Sequence, residues 1–228
     1  MSDLSSRLAV LARGSGVVLD GRQLRALEDY LHLLSRWNAT INLTSLALEG
    51  FPDATLNRLV AEALIASRFM PSRSVGVGRS AVEEDHARSW VDLGSGGGSP
   101  AIPLKIVRPD LRLTMVESRE RKCAFLREVT RALGLRDAAV FAGRMEDAAD
   151  VNVDLITVRA VSWNKVLADA VSRMLAADGR LLVLGSVAPH LPGMELEVEA
   201  PLVAAGNQLF VMRRSSRAGA CRVTTVES

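Results

Sequence analysis

The chain has 228 residues, a formal net charge of +2, and 48% hydrophobic, 4% aromatic and 24% charged residues. This globular composition excludes a disordered, collagen-like or disulfide-stapled chain. No segment approaches the roughly 20 apolar residues of a membrane-spanning helix, and the N-terminal segment lacks the apolar core of an export signal. We therefore expect one ordinary domain with a small helical appendage, in a reducing, cytoplasmic compartment.

Residues 1–70 are predicted to form an N-terminal helical extension. Asp20 stands at an N-cap position. The apolar residues that follow it recur at helical spacing, namely Leu24, Leu27, Leu31, Leu34 and Trp37. A second helical pattern covers residues 53–69, and residues 38–45 between the two are predicted to form turns.

Residues 71–88 are polar and are predicted to form a loop or linker. From Trp90 onward, short apolar runs alternate with helical patterns such as 120–133, for which Gly134 is the expected C-cap glycine. Alternation of this kind predicts a parallel sheet with helices on both faces. Residues 195–214 read as two further strands joined near Gly206 and Asn207.

This order of elements predicts an α/β fold of the class I methyltransferase type, over residues 89–228. Its sheet is Rossmann-like, mostly parallel and seven-stranded, with helices on both faces. The helical extension of residues 1–70 and the linker of 71–88 precede it.

The strongest local motif is a glycine-rich loop that follows a predicted strand and precedes a predicted helix. It contains Asp92, Gly94, Ser95, Gly96 and Gly98. Glycines permit positive φ and a close approach of ligand to backbone. A G-x-G-x-G pattern alone is weak, because many glycine turns bind nothing.

Two acids sharpen the interpretation of this loop. Glu117 ends the next predicted strand, 23 residues after Gly94, near the spacing of an acid that binds ribose hydroxyls. Dinucleotide-binding folds share such an acid, so NAD is considered. Asp92 beside the loop favours a cationic ligand over a diphosphate, and S-adenosylmethionine carries an ammonium group, a sulfonium and a ribose. A turn cap at Asp92 and an exposed strand end at Glu117 are the alternatives.

Other common site motifs are missing from the sequence. It has no Walker lysine loop and no Cys/His spacing typical of zinc, so we expect no metal site. The histidines at 32, 86 and 190 are scattered and receive no role. Cys123 is expected to pack inside a helix, and Cys221 is too distant in sequence to suggest a disulfide framework.

Arginine dominates the basic residues, because only three of the 28 are lysine. Guanidinium groups bind phosphates and guanine edges bidentately, so the bias suits RNA binding. A GC-rich genome gives the same bias. A C-terminal cluster of Arg213, Arg214, Arg217 and Arg222 could neutralise RNA phosphates or simply keep the chain soluble.

Five runs of the sequence, 37–45, 93–104, 117–126, 143–146 and 158–160, match the motifs of a known family. On these runs the chain resembles the bacterial glucose-inhibited division protein B group, whose members are small-subunit (16S) rRNA guanine-N7 methyltransferases. The similarity covers roughly residues 20–185.

The resemblance implies a role for each matching residue. The residues that would surround S-adenosylmethionine are Asp92, Gly94, Ser95, Gly96, Gly98, Glu117, Ser118, Arg144, Met145, Glu146 and Arg159. Among them the glycines would hold the methionine portion, Glu117 the ribose, and Met145 and Glu146 the adenine. Arg159 would face the reaction site as the catalytic candidate. Arg121 and Lys122, together with Arg213 and Arg214 from the C-terminal arginine cluster, are the candidates for binding 16S rRNA of the small subunit.

The chain also departs from the family pattern. The family's His-x-x-Asp-Ser-Leu motif aligns with residues 59–64, where histidine and serine are absent and Glu62 replaces the aspartate. Ser99 replaces a bulky apolar residue, Ala101 replaces glycine, and residues 71–88 resemble an insertion. A divergent, non-catalytic cofactor-binding assembly factor is therefore an alternative, as is a methyltransferase acting on a small molecule or protein.

The chemistry of guanine N7 explains why few catalytic residues are expected. Its lone pair is available in the neutral base, so no general base is needed and placement dominates. Residues 157–160 lack the Asp/Asn-Pro-Pro-aromatic run of exocyclic-amine methyltransferases. We expect Arg159 to position a phosphate or base edge, or alternatively to pair with a surface acid. We expect a monomer.

Overall fold

A computed structural model describes residues 2–71, 88–148, 152–215 and 224–225, and its helices lie against one central sheet. The helices are α1 (Asp3–Gly14), α2 (Gly21–Asn38), α3 (Asp53–Leu56), α4 (Glu62–Ser67), α5 (Ala101–Val107), α6 (Glu120–Ala132) and α7 (Lys165–Met174). A π-helical turn, Asn57–Ala61, joins α3 to α4. The strands are β1 (Ser89–Leu93), β2 (Arg112–Glu117), β3 (Ala138–Ala142), β4 (Val153–Arg159), β5 (Leu175–Gly185), β6 (Met194–Pro201), β7 (Gln208–Arg214) and β8 (Thr224–Thr225).

The N-terminal helices form where the sequence pattern predicts them. The Asp20 carboxylate accepts hydrogen bonds from the backbone N–H groups of Arg22 and Gln23, and the Gln23 side chain accepts one from the Asp20 N–H. This reciprocal capping box satisfies donors that the first turn of α2 leaves free. The four predicted leucines of α2 are buried and Trp37 is half-buried, which confirms the predicted apolar stripe.

The strands have the order β3-β2-β1-β4-β5-β7-β6-β8. The first five are parallel to one another, and β7 runs antiparallel between β5 and β6. This topology confirms the predicted class I methyltransferase fold and the C-terminal hairpin. The two-residue β8, parallel to β6, adds an eighth strand to the predicted seven.

Both faces of the sheet are covered by apolar packing. One core cluster combines the N-terminal helices with α5, α6 and one face of the strands, and the second packs α7 on the opposite face. The N-terminal helices thus share a core with the sheet. The domain boundaries at 70 and 88 stay predictions, and residues 72–87 lie outside the described part.

The strand order reverses between β1 and β4, which are neighbours. In open α/β sheets, ligands bind beyond the carboxyl ends of the strands at such a switch point. We call this side of the sheet, where β1, β2 and β4 end at Leu93, Glu117 and Arg159, the carboxyl edge. It carries the candidate site.

Candidate functional site

The glycine loop leaves β1 at the carboxyl edge in a conformation that few residues besides glycine adopt. The φ angles of Gly94, Gly96 and Gly98 are +76°, +52° and +84°. A Cβ on Gly94 would lie only 2.6 Å from Val161 Cγ2. The Val116 carbonyl accepts hydrogen bonds from the N–H groups of Gly94 and Ser95, so the loop is tied to β2.

Glu117 is the acid that fixes the other side of this loop. Its Oε2 accepts a hydrogen bond from the Gly96 N–H at 2.9 Å, and its Oε1 accepts one from the Arg119 N–H at 2.8 Å. The side chain is buried at the last position of β2. Each oxygen retains a second lone pair, so the carboxylate can also accept from the hydroxyls of a sugar.

A cavity of about 550 Å³ opens between the glycine loop and the turn after β3. Its lining consists of Gly94, Val116, Glu117, Ser118, Gly143, Arg144, Met145, Glu146 and Asp147. Six residues that sequence reasoning assigned to the cofactor are therefore brought together here. The other five, Asp92, Ser95, Gly96, Gly98 and Arg159, do not line this cavity.

The turn after β3 is held in place by a residue that the sequence analysis missed. The Arg173 guanidinium, on α7, donates to the backbone carbonyls of Met145, Glu146 and Ala148. Arg144 is exposed and lies 4.0 Å from the Glu146 carboxylate. Arg173 gives no local signal in the sequence, because its contacts depend on how α7 packs.

Asp92 is a buried carboxylate whose two oxygens differ in their hydrogen bonding. Its Oδ1 accepts a hydrogen bond from the Thr157 hydroxyl, whereas Oδ2 has no partner among the described residues. Burial raises the pKa of Asp92 to about 6. The Ser95 hydroxyl donates to the Asp92 backbone carbonyl, so Ser95 shapes the turn. An orphaned buried acceptor costs free energy, which a cationic ligand would recover.

The far side of the glycine loop rests on the N-terminal helices. The hydroxyl of Tyr30, a fully buried residue of α2, donates to the Gly97 carbonyl at 2.8 Å. Burial raises the pKa of this hydroxyl above its usual value, so it acts as a donor at physiological pH. Sequence reasoning missed Tyr30, since its contact joins positions 67 residues apart.

Arg159 ends β4, but its side chain is only 7% exposed. Its guanidinium donates to the Ser99 hydroxyl and to the Arg58 carbonyl, and it lies 3.1 Å from Glu62 Oε2. Burial lowers the pKa of Arg159 to about 10, so it remains a cation. The alternative prediction paired Arg159 with an acid on the surface. Arg159 does pair with an acid, Glu62, but this side chain is fully buried, so the predicted surface position of the acid is wrong.

The four predicted rRNA contacts lie in two different places. Arg121 is exposed and Lys122 half-buried in the first turn of α6, and the Lys122 ammonium lies 3.9 Å from where a Cβ on Gly96 would be. These two residues stand beside the glycine loop.

Arg213 and Arg214 lie at the opposite edge of the sheet. Because β7 runs antiparallel to β5, Gln208 at its start pairs with Gly185 at the carboxyl end of β5, whereas Arg213 near its end pairs with Arg180. Arg213 lies 3.6 Å from Glu195, and Arg214 donates to the backbone carbonyls of Ser172 in α7 and of Leu175 and Ala176 at the start of β5. Both residues therefore lie away from the carboxyl edge, and their contact with rRNA stays a prediction. Arg217 and Arg222 lie outside the described residues.

The chain was compared with known proteins. A family model described as "GidB: rRNA small subunit methyltransferase G" matches residues 23–191. The chain belongs to this family. Ribosomal RNA small subunit methyltransferase G of Roseiflexus sp. is 34% identical over 75% of this chain and 68% of its own length. That of Ralstonia nicotianae is 34% identical over 83% and 81%.

A solved structure shares the fold of this member of the methyltransferase G family. It is a SAM-dependent methyltransferase from Aquifex aeolicus, with a TM-score of 0.51 and 14% identity over 72% of this chain and 95% of its own. Members of the methyltransferase G family depend on S-adenosylmethionine, which confirms the predicted cofactor and the predicted class of enzyme.

The residues present fit this cofactor. The unpartnered Asp92 oxygen suits an ammonium group, the Glu117 carboxylate suits ribose hydroxyls, and the turn at Met145 closes the cavity. Among the described residues, no three His, Cys, Asp or Glu side chains are grouped so that they could hold a metal ion.

Cys123 is buried, its thiol donates to the Glu117 carbonyl, and burial raises its pKa, so the prediction that it packs is confirmed and it is not poised as a nucleophile. In the described part of the chain, no helix has both the length and the apolar character needed to cross a bilayer.

Proposed function

We propose that this chain transfers a methyl group from S-adenosylmethionine to N7 of a guanosine in 16S rRNA of the small ribosomal subunit. The match of the family model to residues 23–191 carries this proposal. A cytoplasmic location follows from the substrate.

The described residues support a ring nitrogen as the target. Guanine N7 carries an available lone pair in the neutral base, so no proton has to be removed before it accepts the methyl group. Residues 157–160 stand where exocyclic-amine methyltransferases carry their Asp/Asn-Pro-Pro-aromatic run, and the hydroxyl of the first of them, Thr157, donates to Asp92. Cytosine-C5 chemistry would need a reactive thiol, and the described Cys123 is buried.

The chain's own residues would bind and orient the two reactants. The bound cofactor supplies an activated methyl group on a positively charged sulfur. Asp92 would receive the ammonium and Glu117 the ribose, while Met145 and Glu146 would contact the adenine. Arg121 and Lys122 at the start of α6 would hold rRNA phosphates. Good alignment of two reactants can supply about 7–11 kcal/mol of the barrier reduction.

The contacts of Arg159 indicate a different role from that of a residue that faces the base. Its contacts join the glycine loop to the π-helical turn through Ser99 and Arg58. We assign it the role of a positioning residue, which keeps the loop and the N-terminal helices in register at the carboxyl edge. A direct contact to a phosphate or base edge stays a prediction.

The decisive test uses small ribosomal subunits from a bacterium that lacks its own enzyme of this family. The subunits are incubated with the protein and methyl-labelled S-adenosylmethionine, and the digested rRNA is analysed for 7-methylguanosine. We expect labelled 7-methylguanosine with the wild type and strongly reduced label with Glu117→Ala. Cofactor binding without label would instead favour a non-catalytic assembly factor, and label on another base or molecule would refute the proposed target.

A further inference from the structure

Three charged side chains meet where the π-helical turn touches the carboxyl edge. Glu62 Oε2 lies 2.7 Å from Arg58 Nη1 and 3.1 Å from Arg159 Nη2. Its other oxygen accepts a hydrogen bond from the Asn207 amide at 3.0 Å. One carboxylate therefore faces two guanidinium groups, so this triad carries a net charge of +1.

The two arginines of the triad are not equivalent. The Arg159 guanidinium is 7% exposed and has three partners, the Ser99 hydroxyl, the Arg58 carbonyl and Glu62. The Arg58 side chain is 24% exposed. Among the described residues its guanidinium has Glu62 as its one partner, through Nη1. Arg58 is thus the member with N–H donors still available to a ligand.

The backbone around Arg58 is fixed against the site. The Arg58 carbonyl accepts from Arg159, and the next carbonyl, of Leu59, accepts from the Ser99 hydroxyl at 2.8 Å. Both donors belong to the carboxyl edge, at the end of β4 and in the loop after β1. Arg58 itself lies in a π-helical turn, a distortion that is frequent at functional sites.

The triad itself has one cation more than it has anions, and the side chains of Glu62 and Arg159 are almost fully buried. Burial lowers the pKa of Arg159, and the neighbouring Arg58 cation lowers it further. Asp92 is the other acid that acts on Arg159, and it is the group proposed to pair with the cofactor's ammonium. An anion beside Arg58 would balance the remaining charge.

From this geometry we propose that Arg58, oriented by Glu62, is an anion-binding residue of the methyl-transfer site. The anionic group is either a phosphate of the rRNA beside the target guanosine or the carboxylate of the cofactor's methionine portion. Guanidinium suits both, because its planar donors match two oxygens of a phosphate or a carboxylate. The inference rests on the proposed function and adds a residue to it.

The experiment measures two affinities for the wild type, Arg58→Ala and Arg58→Lys. Calorimetry with S-adenosylhomocysteine tests the carboxylate, and binding of labelled 16S rRNA across a series of salt concentrations tests the phosphate. Arg68→Ala is the matched control, since Arg68 is an exposed cation just beyond the same helical segment. Thermal unfolding of each variant shows whether it is folded.

If Arg58 contacts a phosphate, Arg58→Ala should bind rRNA about tenfold more weakly. The slope of log affinity against log salt concentration should be smaller by about 0.7–0.9, and the affinity for S-adenosylhomocysteine should be unchanged. Arg58→Lys would keep the slope, because it keeps the charge. A carboxylate contact predicts the reverse: weaker S-adenosylhomocysteine binding with an unchanged rRNA slope.

Unchanged affinities for both ligands in a folded Arg58→Ala protein would overturn the inference and leave the proposed function intact. A loss of thermal stability in both Arg58 variants, with both affinities retained, would show a purely structural role and overturn it equally. If the wild type binds neither ligand, the proposed function fails along with it.

Discussion

The Thr157 hydroxyl donates a hydrogen bond to Asp92 Oδ1 across the neighbouring strands β1 and β4. The same hydroxyl oxygen accepts a hydrogen bond from Trp90 Nε1 at 2.9 Å. All three side chains are buried. This chain of hydrogen bonds fixes one oxygen of the carboxylate, whereas Oδ2 has no hydrogen-bond partner among the described residues.

Thr157→Val removes the hydroxyl and keeps the shape of the side chain. We expect affinity for S-adenosylhomocysteine to fall about tenfold at pH 7, because a lost charge-assisted hydrogen bond is worth roughly 1.5–3 kcal/mol. Calorimetry measures the change. Thr130→Val is the control, since its hydroxyl bonds the Leu126 carbonyl within α6. Equal affinities for both variants would contradict the assigned role of Thr157.

Cofactor affinity should depend on pH through Asp92. Burial raises the pKa of this carboxyl to about 6, and an ammonium group binds the ionised form. Affinity for S-adenosylhomocysteine is therefore expected to increase as pH rises from 5 to 7, by up to about tenfold per unit below the pKa. Calorimetry across this range measures it.

The raised pKa of Asp92 has the opposite effect on the stability of the protein without ligand. The native chain holds a proton on Asp92 that the unfolded chain releases between about pH 4 and pH 6. The contribution of this group to the free energy of unfolding therefore falls as pH rises through that window. Asp92→Asn should remove both effects. A pH-dependent affinity that survives in Asp92→Asn would assign the titration to another group.

Gly94 and Gly96 offer a matched pair of substitutions in the cofactor loop. Both have positive φ, but a Cβ on Gly94 would lie 2.6 Å from Val161, whereas one on Gly96 would meet nothing closer than 3.7 Å. Gly96→Ala should cost about 1 kcal/mol in backbone strain. Gly94→Ala adds a steric clash, for which we expect a further 1–3 kcal/mol. Urea unfolding measures the free energy of unfolding of each variant. Equal losses of stability in the two variants would refute the predicted clash at Gly94.

Glu117→Ala removes the acceptor that binds the Gly96 and Arg119 N–H groups. We expect cofactor affinity to fall about 100-fold, because the loop loses its tie and the ribose loses its acceptor. Glu117→Gln keeps one acceptor oxygen and should lose less. Glu120→Ala, an exposed acid three residues later, is the control. Calorimetry measures the affinity of each variant for the cofactor. Equal affinities in all three variants would exclude Glu117 from the site.

Tyr30→Phe tests whether the N-terminal helices support the site. The Gly97 carbonyl would lose its buried donor, so we expect unfolding in urea to become easier by about 1–3 kcal/mol. Cofactor affinity should fall as well, because the loop is less firmly held. Unchanged stability and affinity would mean that solvent replaces the donor, contrary to the burial of this hydroxyl.

Local features of the site were predictable from sequence because neighbouring residues determine them. The cap at Asp20, the glycine conformations after β1 and the acid that ends β2 each depend on a few adjacent positions. Alternation of strands and helices was enough for the fold, since parallel strands need crossover helices.

Contacts between distant segments were not predictable in the same way. In the sequence, Glu62 lies where the family's His-x-x-Asp-Ser-Leu motif is lost. In the structure its carboxylate pairs with Arg159, 97 positions later in the chain. The sequence shows Arg213 and Arg214 as part of an arginine-rich C-terminal cluster, and the structure places them at the end of β7, away from the carboxyl edge. That distance follows from strand direction, because an antiparallel return reverses which end of a strand lies at the carboxyl edge.

The hydrogen bond between Asn207 and Glu62 joins residues 145 positions apart. During synthesis the helical segment leaves the ribosome long before the hairpin loop that completes its carboxylate's surroundings. A chain still being translated therefore has the glycine loop and β1–β4 before Asn207 can donate to Glu62. The polar surroundings of the Glu62 carboxylate are complete only after the C-terminal hairpin has been synthesised and has folded onto the helical segment.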